Sequence, residues 1–196
     1  MASVQGRLVH IVAREYWNGW LYAIEPSMVS AHLAAGVDCR RIEDVDEIAK
    51  SRFAEIREQA WDREPDRAAF GAWVEGELAA VCWFQARESY RRHGGLFRLR
   101  DDEAELAQVT TASAFRTRGI GRQLIQHGVV EMGRSGFRRL YAKIWRDNAA
   151  SIRAFESAGW RLEYRFVSIH WRVLNRPSIY KWVPRRRQAP TQSSGA

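Results

Sequence analysis

Arg116-Thr-Arg-Gly-Ile-Gly121 is the stretch whose reading decides the fold, because of what stands on either side of it. Before it, Glu105 to Thr111 (ELAQVTT) is a short β-rich run; after it, Gln123 to Met132 carries apolar residues at helical spacing. Gly119 and Gly121 permit a tight backbone, so the pattern predicts a strand, a loop and a helix start in succession. The first N–H groups of a helix have no partner within it, and with the helix dipole they favour a phosphate at that end. Arg116, Arg118 and Arg122 add fixed positive charge, and Thr117 and Ile120 complete the loop. Taken alone, Gly-x-Gly is equally an ordinary helix-entry turn. Two nucleotide-binding loops fail on the letters. A Rossmann fingerprint wants glycine or alanine three residues beyond Gly121, where Leu124 stands, and a P-loop wants Gly-Lys-Ser/Thr, whereas none of the three lysines is near.

A second constellation, Asn148-Ala-Ala-Ser-Ile-Arg-Ala-Phe155-Glu-Ser-Ala-Gly159-Trp160, follows at the distance of one helix plus one strand. With it in place, the chain resembles the GNAT family of N-acetyltransferases over roughly residues 104 to 162, and more weakly back to Val37. Arg116-x-x-Gly119-x-Gly121 matches the family's Arg/Gln-x-x-Gly-x-Gly/Ala signature; the segment from Asn148 looks like its second motif, an asparagine opening a helix that ends at Gly-Phe. The resemblance implies an α/β (α+β) fold with a central mixed, mostly antiparallel sheet flanked by helices. Acetyl-CoA would enter the sheet as acyl donor where the strand before the Gly loop parts from the strand after the helix.

The same resemblance implies roles for individual residues. Backbone groups of Val109 and Thr111 would face the pantetheine arm, and Arg116, Thr117, Arg118, Gly119, Ile120, Gly121 and Arg122 would cradle the pyrophosphate. Asn148 would lie near the pantetheine or simply cap its helix, since asparagine there satisfies orphan N–H groups. Glu105 is the candidate base, at the offset before Arg116 where many family members carry a glutamate facing the amine; the competing reading is an exposed strand-end carboxylate. Many members place a tyrosine seven residues after the asparagine as acid for the departing thiolate, but here Phe155 stands there. Phe155 can pack against the pantetheine and cannot donate a proton. Protonation then falls to water, to Ser151, or to Tyr141 or Tyr164. The expected activity is transfer of acetyl to a primary amine by direct attack. The alternatives are a binding protein that has lost catalysis, favoured by Phe155, and a longer-chain acyltransferase, favoured by the apolar residues near Trp145 and Trp160. The acceptor stays open among small amines, peptide or protein amines and aminoacyl-tRNA.

Composition narrows the rest. At 196 residues the chain is large enough for one full core. It has no run of eighteen apolar residues and no N-terminal apolar segment of the signal-peptide kind, so a cytoplasmic protein with no membrane contact is expected. Cys39 and Cys82 have no metal-ligand spacing and are expected as buried thiols. His10, His32, His93, His127 and His170 show neither triad nor metal spacing, so no metal is expected. The net charge of +8 suits an anionic partner, but the basic residues are nearly all arginines and no basic and aromatic interleaving resembles an RNA module. Nucleic acid is therefore not the expected partner.

Three segments follow from the pattern. Residues 1–36 read as an N-terminal extension: a hairpin of Leu8–Ala13 and Leu21–Ile24 turning near Asn18-Gly19, then a short helix over Pro26–Leu33. Trp17 and Trp20 there suggest cross-strand packing, or else a lid or the face of a homodimer. Residues 37–184 read as the catalytic domain, with strands at Val37–Ile42, Ala68–Val74, Glu77–Phe84, Glu105–Thr111, Arg139–Trp145, Trp160–Val173 and Ile179–Val183. A helix is predicted over Asp44–Trp61 and another over Ala149–Ala158, while Arg87–Asp102 reads as a polar connection. Residues 185–196 read as a disordered basic and polar tail.

Overall fold

The unbroken apolar run Ala79-Ala-Val-Cys-Trp-Phe84 has no polar face, so its strand must be covered on both sides. The computed structural model, which describes residues 13–31, 33–60, 66–92, 95–171 and 178–182, shows how. Its strands are β1 (Ala13–Ile24), β2 (Val37–Ile42), β3 (Arg67–Val74), β4 (Glu77–Ala86), β5 (Glu103–Thr111), β6 (Arg139–Trp145), β7 (Arg161–Trp171) and β8 (Ser178–Trp182). Its helices are α1 (Asp46–Ala49), α2 (Ala54–Arg57), α3 (Arg87–Arg92), α4 (Ile120–Arg134) and α5 (Ala149–Ser157). The strands form one sheet in the order β2-β3-β4-β5-β6-β1-β7-β8. Every pairing in it is antiparallel except β5 with β6.

Helix α4 packs across β2, β3, β4 and β5 with Leu124, Ile125 and Val129 almost fully buried, while α2 and α3 also reach β4. Each such side chain contributes about 1.5–3 kcal/mol by leaving water. The hairpin of β3 and β4 forms as expected, closed by Glu75 and Gly76, both at positive φ, which is the two-residue turn that suits the twist of paired strands. β6 alternates as its sequence predicts, with Leu140, Ala142 and Ile144 buried and Tyr141 and Lys143 on the opposite face.

Four expectations are corrected. No hairpin turns at Asn18-Gly19: β1 runs straight through both residues as an interior strand between β6 and β7. The glycine serves a different need. The ring of Trp17 lies over Gly19, stacked between Trp145 and Phe166 with centroids 4.3 and 5.1 Å away. A Cβ at Gly19 would overlap that ring and the carbonyl oxygen of Ile144. The expected helix over Pro26–Leu33 is only a 3-10 turn, Pro26–Met28. The helix over Asp44–Trp61 is two short ones, broken where Phe53 turns extended, although Ile48 and Ile56 face the core as expected. The connection after Arg87 contains α3, whose Ser89 and Tyr90 are buried. Leu8–Val12, Trp61, most of the turn before Ser178 and the tail lie outside the described residues.

Gly19→Ala should therefore destabilise the fold by about 1–3 kcal/mol, the range for overpacking a filled site. Thermal unfolding should show the melting temperature falling by several degrees with near-UV tryptophan ellipticity reduced; an unchanged melting curve would remove the glycine's packing role.

Candidate functional site

β5 and β6 are paired only at Glu103–Glu105 against Arg139–Tyr141. Beyond Glu105 they part. β5 keeps its partner β4 on one side as far as Thr111, so on the other side alternate backbone N–H and C=O groups from Leu106 to Thr111 face the split. This stretch spans roughly 20 Å at strand rise. Val109 and Thr111 lie on it, both half-buried.

The chain leaves the open end of the split through a 3-10 turn, Ser113–Phe115, and the loop to α4. Arg116 donates from Nε to the Thr111 carbonyl at 3.1 Å, folding the loop back on its strand. The sign of φ then alternates: Arg116 is at −64°, Thr117 at +65°, Arg118 is not positive and Gly119 is at +73°. This alternation lets the backbone turn tightly from the strand end into the start of α4. Thr117 holds a left-handed conformation costly for a branched residue, and its Oγ1 donates to the Arg116 carbonyl at 2.6 Å. Gly119 caps the start of α4, whose first turn holds no acidic residue. Arg116, Arg118 and Arg122 are all exposed around it. A Cβ at Gly121 would come within 3.0 Å of Thr111 Oγ1, so strand and helix start approach closely there and a larger residue would press that hydroxyl aside by a few tenths of an ångström. Loop, helix start and charge together fit a pyrophosphate.

Asn148 caps α5, its Oδ1 accepting from the Ser151 amide at 3.0 Å, as the sequence predicts for asparagine there. Ser151 stands on the first turn, half-buried. Phe155 is 6 % exposed and packs edge-on against Trp160 at 5.0 Å, as a member of the core.

Glu105 is not the exposed strand-end carboxylate of the competing reading. It is 2 % exposed, accepts from Gln85 Nε2 at 2.9 Å and pairs with Lys143 Nζ at 3.0 Å. Burying a carboxylate requires such partners. It lines a cavity of about 290 Å³ with Leu21, Tyr90, Phe97, Tyr141 and Tyr164. Ser151 and Phe155 are not in its walls. Tyr141 donates to Glu103 at 3.1 Å, and its phenol is pushed up to about 12, chiefly by burial and then by that carboxylate. Burial likewise raises Tyr164. Two other hollows, of about 450 and 930 Å³, hold neither Glu105 nor any residue of the Gly loop.

Gln85, Tyr90 and Lys143 escaped the sequence reading. Alternation within Arg139–Trp145 puts Lys143 on the face of Tyr141, but only the register Glu105↔Tyr141 brings that face to Glu105. Cys39 and Cys82 are buried as expected, and burial raises both thiols, Cys39 to about 12, which disfavours a nucleophilic thiolate. Among the described residues no His, Cys, Asp or Glu cluster is disposed to hold a metal, and no helix is long and apolar enough to cross a membrane.

The chain is similar to known acetyltransferases over part of their length. Over 118 residues the chain is 26% identical to mycothiol acetyltransferase of Corynebacterium efficiens, covering 60% of this chain and 35% of that protein. It is 36% identical over 58 residues to the [ribosomal protein bS18]-alanine N-acetyltransferase of Salmonella typhimurium, covering 30% of this chain and 39% of that one. The chain thus spans little more than a third of these curated relatives. Among solved structures, a GCN5-related N-acetyltransferase from Kribbella flavida shares the fold with TM-score 0.57 at 18% identity, over 85% of this chain and 62% of that one. The model of the Acetyltransferase (GNAT) family matches residues 37–160, which take in the split strands, the Gly loop and the Asn148 helix, and the chain belongs to that family.

Proposed function

We propose that this chain is an acyl-CoA-dependent N-acyltransferase, with acetyl from acetyl-CoA as the group transferred and a primary amine of a small molecule, peptide or protein as acceptor. One observation carries the reading: the parting of β5 from β6 runs from a buried carboxylate at its closed end to the glycine- and arginine-bearing start of α4 at its open end. The donor, when bound, supplies an activated thioester carbonyl. The chain's own residues divide the remaining work.

N–H groups between Arg116 and Arg122 bind the pyrophosphate, with the arginine side chains adding charge. Backbone of Val109 and Thr111 orients the arm inside the split. Glu105, held by Gln85 and Lys143, receives the amine proton directly or through one water. The departing thiolate is protonated by water or by Ser151, since the buried ring of Phe155 has no proton to give. Coenzyme A is a tolerable leaving group near neutral pH, so this step stands without a tyrosine. A second reading, an acyl-CoA binder without turnover, draws its support from the placing of Phe155 against Trp160 in the core.

Gly121→Glu should weaken acetyl-CoA binding by about 10²-fold or more, because it sets a side chain and a negative charge where the pyrophosphate lies. Calorimetry on the folded variant tests this, and wild-type affinity would move the donor elsewhere.

Glu105→Gln should lower kcat by about 10² to 10⁴-fold with a smaller effect on the donor's KM, the loss shrinking as pH rises and the amine deprotonates unaided. A pH–rate profile left unchanged would assign the base to another group.

Phe155→Tyr should change turnover by less than about threefold while lowering stability by about 1–3 kcal/mol, the cost of burying a hydroxyl without a partner. Melting temperature and thiol release, measured together on both proteins, decide it. Turnover gained only in the variant would support the binding-only reading of the wild type.

A further inference from the structure

The cavity above Glu105 has two chemically different ends. Its floor is the Glu105 carboxylate. Its walls are rings: Tyr90 is 3% exposed with its hydroxyl accepting from the Phe97 amide, and Phe97 meets Tyr164 edge-on at 5.9 Å. Its mouth carries Arg98 and Lys181, both exposed, and the Lys181 ammonium lies 4.9 Å from the Phe97 ring and 5.0 Å from that of Tyr164.

The charges of this lining do not cancel. Glu105 is matched by Lys143 at 3.0 Å, and the cavity's other carboxylate, Glu163, by Arg139 at 2.6 Å. Among the described residues no carboxylate lies within ion-pair distance of Arg98 or Lys181. Two cations without acidic partners among the described residues therefore flank the entrance to a pocket whose floor is a carboxylate already paired with Lys143. A molecule filling the pocket covers part of both, and covering a cation without supplying an anion is unfavourable. A diamine would set its second ammonium against them; a simple alkylamine would leave them unanswered.

We propose that the acceptor is a small amine carrying its own carboxylate, an amino-acid-like zwitterion with an apolar or aromatic middle. Its ammonium is drawn to Glu105, its apolar part lies between Tyr90, Phe97 and Tyr164, and its carboxylate meets Arg98 and Lys181 at the mouth. This rests on the reading that Glu105 faces the acceptor. A cavity of about 290 Å³ is at the small end for ligand sites, which suits one amino acid in preference to a folded partner. Lys181 comes from β8, the edge strand, and Arg98 from the segment after α3, so the specificity end is built from parts of the chain outside both motif segments.

Calorimetry tests this without relying on turnover. 6-Aminohexanoate and 4-(aminomethyl)benzoate, whose amine and carboxylate stand at opposite ends of an apolar or aromatic middle, are each compared with the amine that lacks the carboxylate, pentylamine and benzylamine, with and without saturating coenzyme A. The wild type should bind each amino acid about tenfold or more tighter than its amine, and in the double variant Arg98→Met/Lys181→Met the ratio should fall to within about twofold. Both positions are exposed, and circular dichroism checks that the variant stays folded. Equal or reversed preference in the wild type overturns the proposal, as does a ratio untouched by the double variant or no binding of either member of any pair. Thiol release, followed in parallel, separates the two readings. Carboxylate-dependent binding with no release for any amine would sink acyl transfer and leave the pocket's selectivity standing, whereas release with simple amines at an affinity ratio near one would do the reverse.

Discussion

Backbone pairing between β5 and β6 ends three residues after it begins, and the rest of the molecule is arranged around that break. A parted pair of strands inside a sheet leaves N–H and C=O groups facing a gap, a condition that buried backbone does not tolerate without other partners. On the β5 side the gap borders the Gly loop, where the start of α4 presents the N–H groups that have no partner within the helix. The same break that disrupts the sheet thus creates a continuous polar strip from Glu105 to Arg122.

Holding the break open requires both halves of the sheet to be stable separately. On one side, β2 to β5 are tied by α4, which buries Leu124, Ile125 and Val129 across them. On the other, β6 has β1 as its antiparallel neighbour, and β1 in turn pairs along most of its length with β7. Trp17, stacked between Trp145 and Phe166 above Gly19, joins those three strands on the face that carries Glu105. Tyr22 points to the other face and donates to Glu156 on α5 at 2.8 Å, which ties the second motif's helix to the same strand. Strand β1 is therefore a central beam of the half-sheet that opposes the Gly loop.

Electrostatics within the split follow from burial. Glu105 loses its hydration, and Gln85 from β4 and Lys143 from β6 replace it, one partner from each side of the parting strands. Those partners orient the carboxylate at the apex of the split, where an acceptor amine and the donor would converge. The aromatic rings above it exclude water from one side, and the cations at the mouth stand where solvent still reaches them.

Local chemistry determined what the sequence by itself could settle. The glycines, arginines and asparagine of the two motifs act within a turn or two of themselves, so the Gly loop, the cap at Asn148 and the strand Arg139–Trp145 were all legible before any tertiary contact was considered. The hairpin at Glu75-Gly76 was legible for the same reason. Asn18-Gly19 carried an equally strong turn signal, and there the stacking of Trp17 with residues more than a hundred positions away overrode it. Strand neighbours and register are non-local, so only the tertiary structure decided that β1 lies between β6 and β7 and that Lys143 reaches Glu105. It also decided that Arg98 and Lys181, separated in the chain and in no motif, share one pocket mouth. A side chain's helical or strand preference is written in its neighbours along the chain; its partners across a sheet are written in the pairing of strands, which no single stretch contains.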